Sequence, residues 1–317
     1  MGVVRVGTCS WTDKTMIEAW YPPTVTSAEA RLRYYAERYD TVEADSPFYA
    51  IPRPQVARAW AERTPEGFVF HVKAFGLMTR HTVDERRMPS ELRDLVTDVD
   101  ERGRVHHPSA ELLDAVFDAF VEFLRPLQAA DKLGGVLMQF PPYVAATDHA
   151  RAHEHLGYLE YAAEKLEGMR VLVEFRHPSW VTGRQLGETM RFLAEHDLTY
   201  VCVDAPQYAE HATMPPITAV TSPWTYVRMH GRNRETFFSR TASAADRFDY
   251  LYTADELREW EPRIRELSAQ SDTTWVMFNN CKYDYAPRNA REMASILGVE
   301  PYRGEPLGDV GQLELGL

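Results

Sequence analysis

The sequence predicts one (β/α)8 barrel, and three observations support that fold class. The chain is 317 residues long, a length that fits one large barrel. Short β-branched apolar segments alternate along it with longer segments of helical periodicity, which is typical of parallel strands joined by crossover helices. The first predicted strand leads into CSWTDK and not into a glycine-rich phosphate loop, which disfavours an open doubly wound sheet.

Eight segments are predicted to be strands because each is short, apolar and rich in β-branched residues. They are residues 3–8, 41–45, 68–73, 135–140, 170–175, 199–204, 225–230 and 274–279. Eight parallel strands are the number that closes a barrel of this kind.

Seven further segments have the periodicity of amphipathic helices. They are residues 27–38, 54–63, 109–130, 148–166, 184–195, 253–270 and 288–297. Four residues are predicted N-caps, because their side-chain oxygens can accept hydrogen bonds from backbone N–H groups of the first turn. They are Ser27, Ser109, Asp148 and Thr253.

Three segments depart from a regular barrel. Residues 76–108, after the third strand, form a long charged insertion that could close as a lid. Residues 205–223 carry prolines and are predicted to replace the sixth helix with a loop. The barrel domain is predicted to span residues 1–300, and residues 301–317 to form an extended or flexible tail.

Composition argues against several classes of protein. The formal net charge is -12 and the sequence pI is about 5.4, which disfavours binding of phosphate backbones over the whole surface. No uncharged apolar segment approaches the roughly 18 residues of a membrane span, and no signal peptide is visible. The cysteines, 3 in number, lack metal-type spacing, so we expect a cytoplasmic protein without disulfides.

Polar residues end nearly every predicted strand, at the edge where barrel enzymes keep their active sites. They are Glu43, Asp45, His71, Lys73, Gln139, Glu174, Arg176, Asp204, Arg228, His230, Asn279 and Asn280. Burying an unpaired charge is costly. The pattern therefore indicates either a ligand site or a layer of salt bridges that neutralise one another.

The loop after the seventh strand is locally basic on an acidic chain. Its arginines are Arg228, Arg232, Arg234, Arg240 and Arg247. Arginine forks match phosphate oxygens, and the loops after strands seven and eight often bind phosphate in such barrels. We therefore predict an anion site with Phe237 and Phe238 available to stack on a ring. A solvated charged loop is the alternative.

A divalent-metal site is the other chemistry that these residue types allow. Its ligands would be Glu43, Glu174, Asp204 and His230. The arginines and Lys73 compete for the same carboxylates, and the sequence has no HxH or HExxH spacing. We therefore expect no metal and no other cofactor.

Seven motifs, in order along the chain, resemble those of the YecE-like family (DUF72), a family of TIM barrels of unknown function. They are GTCSWTDK, YDTVEADSPFYAIP, GFVFHVKA, LGGVLMQFPP, VEFRHPSW, YVRMHGRN and FNNCKYDYAPRNA, between residues 5 and 298. The resemblance implies a barrel with a shared pocket, distantly similar to barrel sugar isomerases and to barrel endonucleases that act at abasic sites.

The resemblance places the motif positions of the family mainly at the predicted strand ends. They are Trp11, Glu43, Ser46, Phe48, Tyr49, Lys73, Gln139, Pro141, Glu174, Arg176, Trp180, Asp204, Arg228, His230, Gly231, Asn279, Asn280 and Asn289. The chain departs from the family pattern at Cys281 and Lys282 and at Phe237 and Phe238. It also lacks the histidine clusters of the abasic-site endonucleases.

The last six residues, QLELGL, resemble the QLxLxL peptide with which bacterial proteins dock on the replicative sliding clamp. The side chains that would fill a groove on that partner, from an extended strand, are Gln312, Leu313, Leu315 and Leu317. An ordinary tail without a partner is the alternative.

These observations predict an enzyme that binds a phosphorylated, sugar-containing ligand, or a nucleic-acid phosphodiester or damaged nucleotide, at the C-terminal mouth of the barrel. Glu174 and Asp204 are the expected base and acid, and Lys73 or His230 would stabilise negative charge. Arg176, Arg228 and Arg232 are expected to hold the phosphate.

The remaining residues of the predicted site are Glu43 as a further catalytic group and the binding residues Trp11, Asp45, Tyr49, Gln139, Asn279, Asn280 and Asn289. Two alternatives stay open. One is a small-carbohydrate isomerase or lyase, and the other is a non-catalytic ligand-binding or clamp-recruited adaptor.

Overall fold

Eight parallel strands close into a barrel in the computed structural model, which describes residues 2–208, 213–237 and 244–299. The strands are β1 (Val3–Cys9), β2 (Thr41–Ala44), β3 (Val69–Lys73), β4 (Leu133–Gln139), β5 (Arg170–Glu174), β6 (Thr199–Asp204), β7 (Trp224–Met229) and β8 (Thr273–Phe278). Each strand pairs with its neighbours in chain order, and β8 pairs with β1. The predicted fold class is confirmed.

Helices connect the strands and cover the outside of the barrel. They are α1 (Lys14–Ala19), α2 (Ala28–Ala36), α3 (Pro54–Glu62), α4 (Ser90–Arg93), α5 (Ala110–Ala129), α6 (His149–Lys165), α7 (Gly183–Glu195), α8 (Ala244–Arg247), α9 (Ala254–Ala269) and α10 (Tyr285–Leu297). All four predicted N-caps accept a backbone hydrogen bond in the first turn.

The short helices α1, α4 and α8 were not predicted, and α10 begins earlier than predicted. Local reasons explain α1 and α10. α1 was not predicted, because a helix of six residues shows little periodicity; the side chain of Asp13 caps it by accepting from the N–H of Thr15 at 2.9 Å. α10 begins at Tyr285 and not at residue 288. Pro287 lies in its first turn, where a proline leaves no helical hydrogen bond unmade.

The two predicted departures within the barrel are present. The insertion between β3 and α5 contains an antiparallel hairpin of Val83–Asp84 and Arg104–Val105, and it buries Val83, Met88 and Val105. It thus packs on the barrel through an apolar face, and its role as a lid stays a prediction. The described part of the connection from β6 to β7 contains no helix.

The side chains that fill the barrel change from aromatic to ionic along its axis. Towards the N-terminal ends of the strands, the ring of His71 packs edge-on against Tyr226 and Trp275, with centroids 4.9 and 4.4 Å apart. A Cβ on Gly134 would lie 2.6 Å from this imidazole, so β4 needs a glycine there. Towards the C-terminal ends, the interior is ionic. No helix in the described ranges is long and apolar enough to cross a membrane.

Candidate active site

One buried arginine joins two carboxylates across the barrel. Arg228 extends into the interior from β7 and is fully buried. Its Nε and Nη2 donate to Oε2 and Oε1 of Glu43, on β2, at 3.1 and 2.6 Å, and its Nη1 donates to Oε2 of Glu174, on β5, at 2.5 Å. We call Glu43, Arg228 and Glu174 the inner cluster.

The second carboxylate oxygen of Glu174 accepts hydrogen bonds from three more side chains. Oε1 accepts from Gln139 Nε2 at 2.8 Å, from Arg176 Nη1 at 3.1 Å and from His230 Nε2 at 3.0 Å. The amide Nδ2 of Asn279 lies 2.9 Å from His230 Nδ1, so Nδ1 accepts and the proton of the neutral ring is on Nε2. Side chains from several strands therefore converge on one carboxylate.

The two carboxyl groups of the inner cluster differ in pKa. Burial raises the pKa of Glu43 to about 7, although Arg228 opposes the rise. Burial also acts to raise the pKa of Glu174, but Arg228, His230 and Arg176 outweigh it and hold that pKa well below its usual range. Carboxyl pairs whose environments separate their pKa values are typical of acid/base sites.

Three charged side chains above the inner cluster reach solvent. Asp45, Lys73 and Arg176 have 23%, 13% and 21% of their side chains exposed. Lys73 Nζ lies 3.9 Å from Asp45 Oδ1 and 4.5 Å from the ring centroid of Phe48, and Tyr49 beside them is half exposed. The site therefore combines a buried ionic layer with accessible charged tips.

These charges balance. The carboxylates of Glu43, Asp45 and Glu174 face the cations of Lys73, Arg176 and Arg228. The layer of mutually neutralising salt bridges, one of the two alternatives from the sequence, is thus present. It does not exclude a ligand, because Lys73 and Arg176 each keep part of their surface open.

A cavity of about 40 Å³ adjoins the site. Arg176 and His230 line it together with Val203, Met214 and Phe237. Its volume is that of one or two water molecules, so its present shape does not hold a sugar phosphate.

Asp204 and Arg232 lie outside this site. Side chains alternate along a strand, and Val203 takes the inward position at the end of β6. Asp204 accepts hydrogen bonds from Trp260 Nε1 at 2.6 Å, from the Tyr252 hydroxyl at 2.8 Å and from Arg232 Nη2 at 2.8 Å. The expected acid/base role of Asp204 and phosphate role of Arg232 therefore do not fit their positions.

The turn at Gly231 produces this separation. Its φ is 88°, and a Cβ added there would lie 2.7 Å from the Cβ of Tyr250. Both the backbone conformation and the close approach require glycine. The chain passes at this turn from His230 inside the barrel to Arg232 outside it. Arg228, inside the barrel, and Arg232, outside it, consequently do not face one anion site together.

Asn280, Asn289 and Trp11 also lie away from the site. Asn280 Nδ2 donates to Asn289 Oδ1 at 2.9 Å, and Asn289 Nδ2 donates to the backbone oxygen of Tyr252 at 2.9 Å. Of the two consecutive asparagines, only Asn279 faces inward. Trp11 is 6% exposed and packs edge-on against Trp60, so these three side chains support the fold and not a ligand.

Two residues of the site were not predicted from the sequence. Tyr226 donates its hydroxyl to Glu43 Oε2 at 2.8 Å, and its alternation with Arg228 and His230 on β7 was the signal that could have found it. His81, on the insertion, packs edge-on against Phe48. Burial, with Lys73 and Arg176, lowers the pKa of His81 to about 4. No strand pattern marks a residue on an insertion.

Several predicted residues lie outside the described ranges. They are Phe238, Arg240, Gln312, Leu313, Leu315 and Leu317. Within the described ranges, no group of three or more His, Cys, Asp or Glu side chains is arranged to hold a metal ion.

The fold and the inner cluster define a TIM-barrel protein with a buried carboxylate–arginine–carboxylate arrangement at the C-terminal ends of its strands. The chain belongs to the family described as protein of unknown function DUF72, whose family model matches residues 5–308. The resemblance to YecE-like proteins is thereby confirmed. The UPF0759 protein YunF of Bacillus subtilis (strain 168) is 29% identical over 301 residues, which cover 94% of this chain and 96% of that protein.

Solved structures of the family share the fold over nearly the whole chain. A DUF72 family protein from Enterococcus faecalis V583 superposes with a TM-score of 0.75 at 23% identity, covering 94% of this chain and 96% of that one. A DUF72 family protein from Thermotoga maritima MSB8 superposes with a TM-score of 0.72 at 27% identity, covering 93% and 99%.

Proposed function

We propose that the protein is an enzyme that binds a small phosphorylated, sugar-containing ligand at the C-terminal mouth of the barrel and acts on it by acid/base catalysis. The observation that carries the proposal is the opposite shift of the two pKa values in the inner cluster. Acid/base catalysis works best when the pKa is close to the working pH, and the pKa of Glu43 meets that condition. Glu43 takes the role that the sequence had assigned to Asp204.

Arg176 and Lys73 are the phosphate-binding residues of this proposal. Arg228 is enclosed by two carboxylates, and Arg232 already binds Asp204 and Glu259. Arg176 and Lys73 keep part of their side chains exposed. Lys73 lies over the ring of Phe48, which contacts Tyr49, and the half-exposed Tyr49 ring can stack on a sugar or base. A sugar phosphate and a nucleotide are both members of this ligand class.

Binding of a phosphate changes the charge balance of the site. The group brings a charge of about −1.5 to −2 at neutral pH. Additional negative charge favours the protonated form of a nearby carboxyl group. Glu43, with a pKa of about 7, therefore takes up a proton when the ligand binds.

The proposed ligand also requires a larger cavity than the structure shows. Ligand pockets are typically about 300–1,000 Å³ in volume, whereas the cavity beside His230 is about 40 Å³. The side chains of Met214 and Phe237 line that cavity, and both must move when a sugar phosphate binds.

Isothermal titration calorimetry at pH 7 tests the proposal with glucose 6-phosphate, adenosine monophosphate and glucose. Titration in two buffers of different ionisation enthalpy measures the number of protons taken up. We expect the phosphorylated ligands to bind with proton uptake and glucose to bind much more weakly. Arg176→Met should weaken binding about tenfold, and Glu43→Gln should abolish proton uptake.

The matched control is Arg184→Met, which removes an exposed arginine paired with Glu188 on α7 and should change nothing. Catalysis is followed by phosphorus-31 NMR of the same ligands, with Glu43→Gln expected to lose turnover. Equal binding of glucose and glucose 6-phosphate, or binding insensitive to Arg176→Met, would contradict the proposal. Binding without turnover of any ligand would support the adaptor instead.

A further inference from the structure

A second and much larger cleft lies beside the barrel, between the insertion and α6. Its volume is about 620 Å³, within the usual range of small-molecule sites. Arg80 lines it from the insertion, Arg151 and His155 line it from α6, and Tyr143 and Tyr158 complete its walls. None of these residues belongs to the site at the mouth of the barrel.

Arg80 is held in an unusual backbone conformation in this cleft. Its φ is 62°, a left-handed conformation that L residues adopt at a cost. Its guanidinium carbon lies 4.4 Å from the ring centroid of Tyr158, and its backbone oxygen accepts from the Tyr143 hydroxyl at 2.7 Å. Contacts from two elements thus place one cation in the wall of the cleft.

His155 offers a hydrogen-bond donor that lacks an acceptor. Arg80 Nη1 donates to Nδ1 of His155 at 3.0 Å, so the proton of the neutral ring is on Nε2. His155 is 8% exposed, and its Nε2 is buried without a hydrogen-bond partner in the part of the chain that the structure describes. A buried donor without a partner is unfavourable, and a ligand oxygen can reach this atom only if the wall of the cleft moves.

α6 presents a mixed face to the cleft. Arg151, Glu154, His155 and Tyr158 follow the spacing of one helical face and all line the cleft. Glu154 pairs with Arg80 at 2.9 Å, and Arg151, more than half exposed, lies 3.9 Å from Asp148. The charged side chains that line the cleft are thus two arginines and one glutamate, and Asp148, the partner of Arg151, lies outside the wall.

Aromatic and apolar side chains in the lining indicate which chemical group the anionic ligand carries besides its phosphate. Tyr143 is 64% exposed, and Leu77, Leu113 and Val144 provide apolar surface. Exposed aromatic rings beside arginines bind planar groups by stacking. From these contacts we infer that the cleft is a binding site for a phosphate monoester attached to a planar ring, separate from the ligand at the barrel mouth.

The two sites share one wall. Arg80 lines the cleft, whereas the next residue, His81, lies against Phe48 at the mouth of the barrel. Binding in the cleft does not depend on the function proposed for the mouth.

Calorimetric titration with phenyl phosphate, methyl phosphate and phenol tests the cleft. Phenyl phosphate should bind most tightly, because only this probe has both the ring and the anion. Arg80→Met should weaken its binding about tenfold and Arg151→Met about threefold. The shift of the His155 resonance, which reports on the cleft, should be unchanged in Arg176→Met, at the barrel mouth, and in Arg184→Met, on α7. The exposed position of Arg151 keeps the test valid if Arg80→Met fails to fold.

Carbon–proton NMR of the histidine rings locates the probe. The His155 resonance should shift on titration with phenyl phosphate, whether or not the probe also occupies the mouth beside His230. Three results would overturn the inference: phenol shifting the His155 resonance at the same concentrations as phenyl phosphate, a His155 shift unaffected by both cleft variants, or loss of the His155 shift in Arg176→Met. Failure of glucose 6-phosphate to bind at the mouth would leave these results unaffected, so the two proposals fail separately.

Discussion

Two arginine–carboxylate clusters lie on opposite faces of the same barrel wall. The inner cluster joins Arg228 to Glu43 and Glu174, and all three side chains are fully buried. The outer cluster joins Arg232 to Asp204 and Glu259, and 26% of the Arg232 side chain is exposed. Their arginines are close in the sequence, and Gly231 redirects the chain between them.

The difference shows that position on the pleat, and not residue type, separates a candidate active site from a structural contact. Asp204 accepts from Trp260 of α9 and so ties the end of β6 to the helical layer. The inner cluster instead places two carboxyl groups with separated pKa values beneath an accessible mouth. Burying such charges is expensive, and buried ion pairs contribute little net stability, so a role in ligand binding or catalysis accounts better for the inner cluster.

Replacing the two arginines separately gives the largest expected effect. Arg228→Met leaves two buried carboxyl groups without their cation and should lower the free energy of unfolding by about 3–5 kcal/mol. Arg232→Met removes a partly exposed partner and should cost about 1 kcal/mol. Urea unfolding followed by circular dichroism measures both. Equal losses in the two variants would remove the distinction between the clusters.

Replacing the two carboxyl groups of the inner cluster should also lower the free energy of unfolding by different amounts. At pH 7, Glu174→Gln removes a charge that the protein holds ionised and should cost about 2–4 kcal/mol. Glu43→Gln replaces a group that burial already brings close to neutral and should cost about half as much. The same urea unfolding experiment at pH 7 measures both variants, and the reverse order would contradict the assigned pKa directions.

Lowering the pH should destabilise the protein through His71, in the aromatic part of the barrel interior near the N-terminal ends of the strands. Burial lowers the pKa of His71 to about 3, from about 6.5 in the unfolded chain. The unfolded chain therefore binds the proton first, and stability is lost as the pH falls from 6.5 towards 3. At pH 5 the loss from this residue is about 2 kcal/mol, at about 1.36 kcal/mol per pKa unit.

The variant His71→Phe keeps an aromatic ring and removes the titrating group. The fall in unfolding free energy between pH 7 and pH 5 should therefore be smaller in His71→Phe by about 2 kcal/mol. Because both proteins retain the ionic layer, its own titration cancels in the comparison. An identical pH dependence would show that His71 is not responsible.

The smallest expected effect on stability and ligand binding comes from replacing Asp204, in the outer cluster. Asp204→Asn keeps one acceptor oxygen for Trp260 and places its amide NH2 against the Tyr252 hydroxyl, which can accept. It loses the charge that pairs with Arg232 and should cost about 1 kcal/mol. Ligand affinity and proton uptake at the mouth should be unchanged, as measured by calorimetry. Loss of proton uptake in Asp204→Asn would place this residue in the site after all.

The sequence alone predicts the barrel and most of the polar residues that face inward at the C-terminal ends of its strands. β-branched segments at regular intervals, N-cap residues and inward alternation identify the strands, the helices and residues such as Glu43, Glu174 and Arg228, because these signals are local. The described residues between β6 and β7 contain no helix, as the prolines of that segment predicted.

Packing assigns the remaining roles, because they depend on contacts between distant segments. Whether Asp204 or its neighbour faces inward depends on the register at which β6 ends and on Trp260, 56 positions further along. His81 and Arg80 reach their sites only because the insertion folds back against β3 and α6. The separated pKa values of Glu43 and Glu174 likewise arise from burial and from charges on other strands, which no single segment contains.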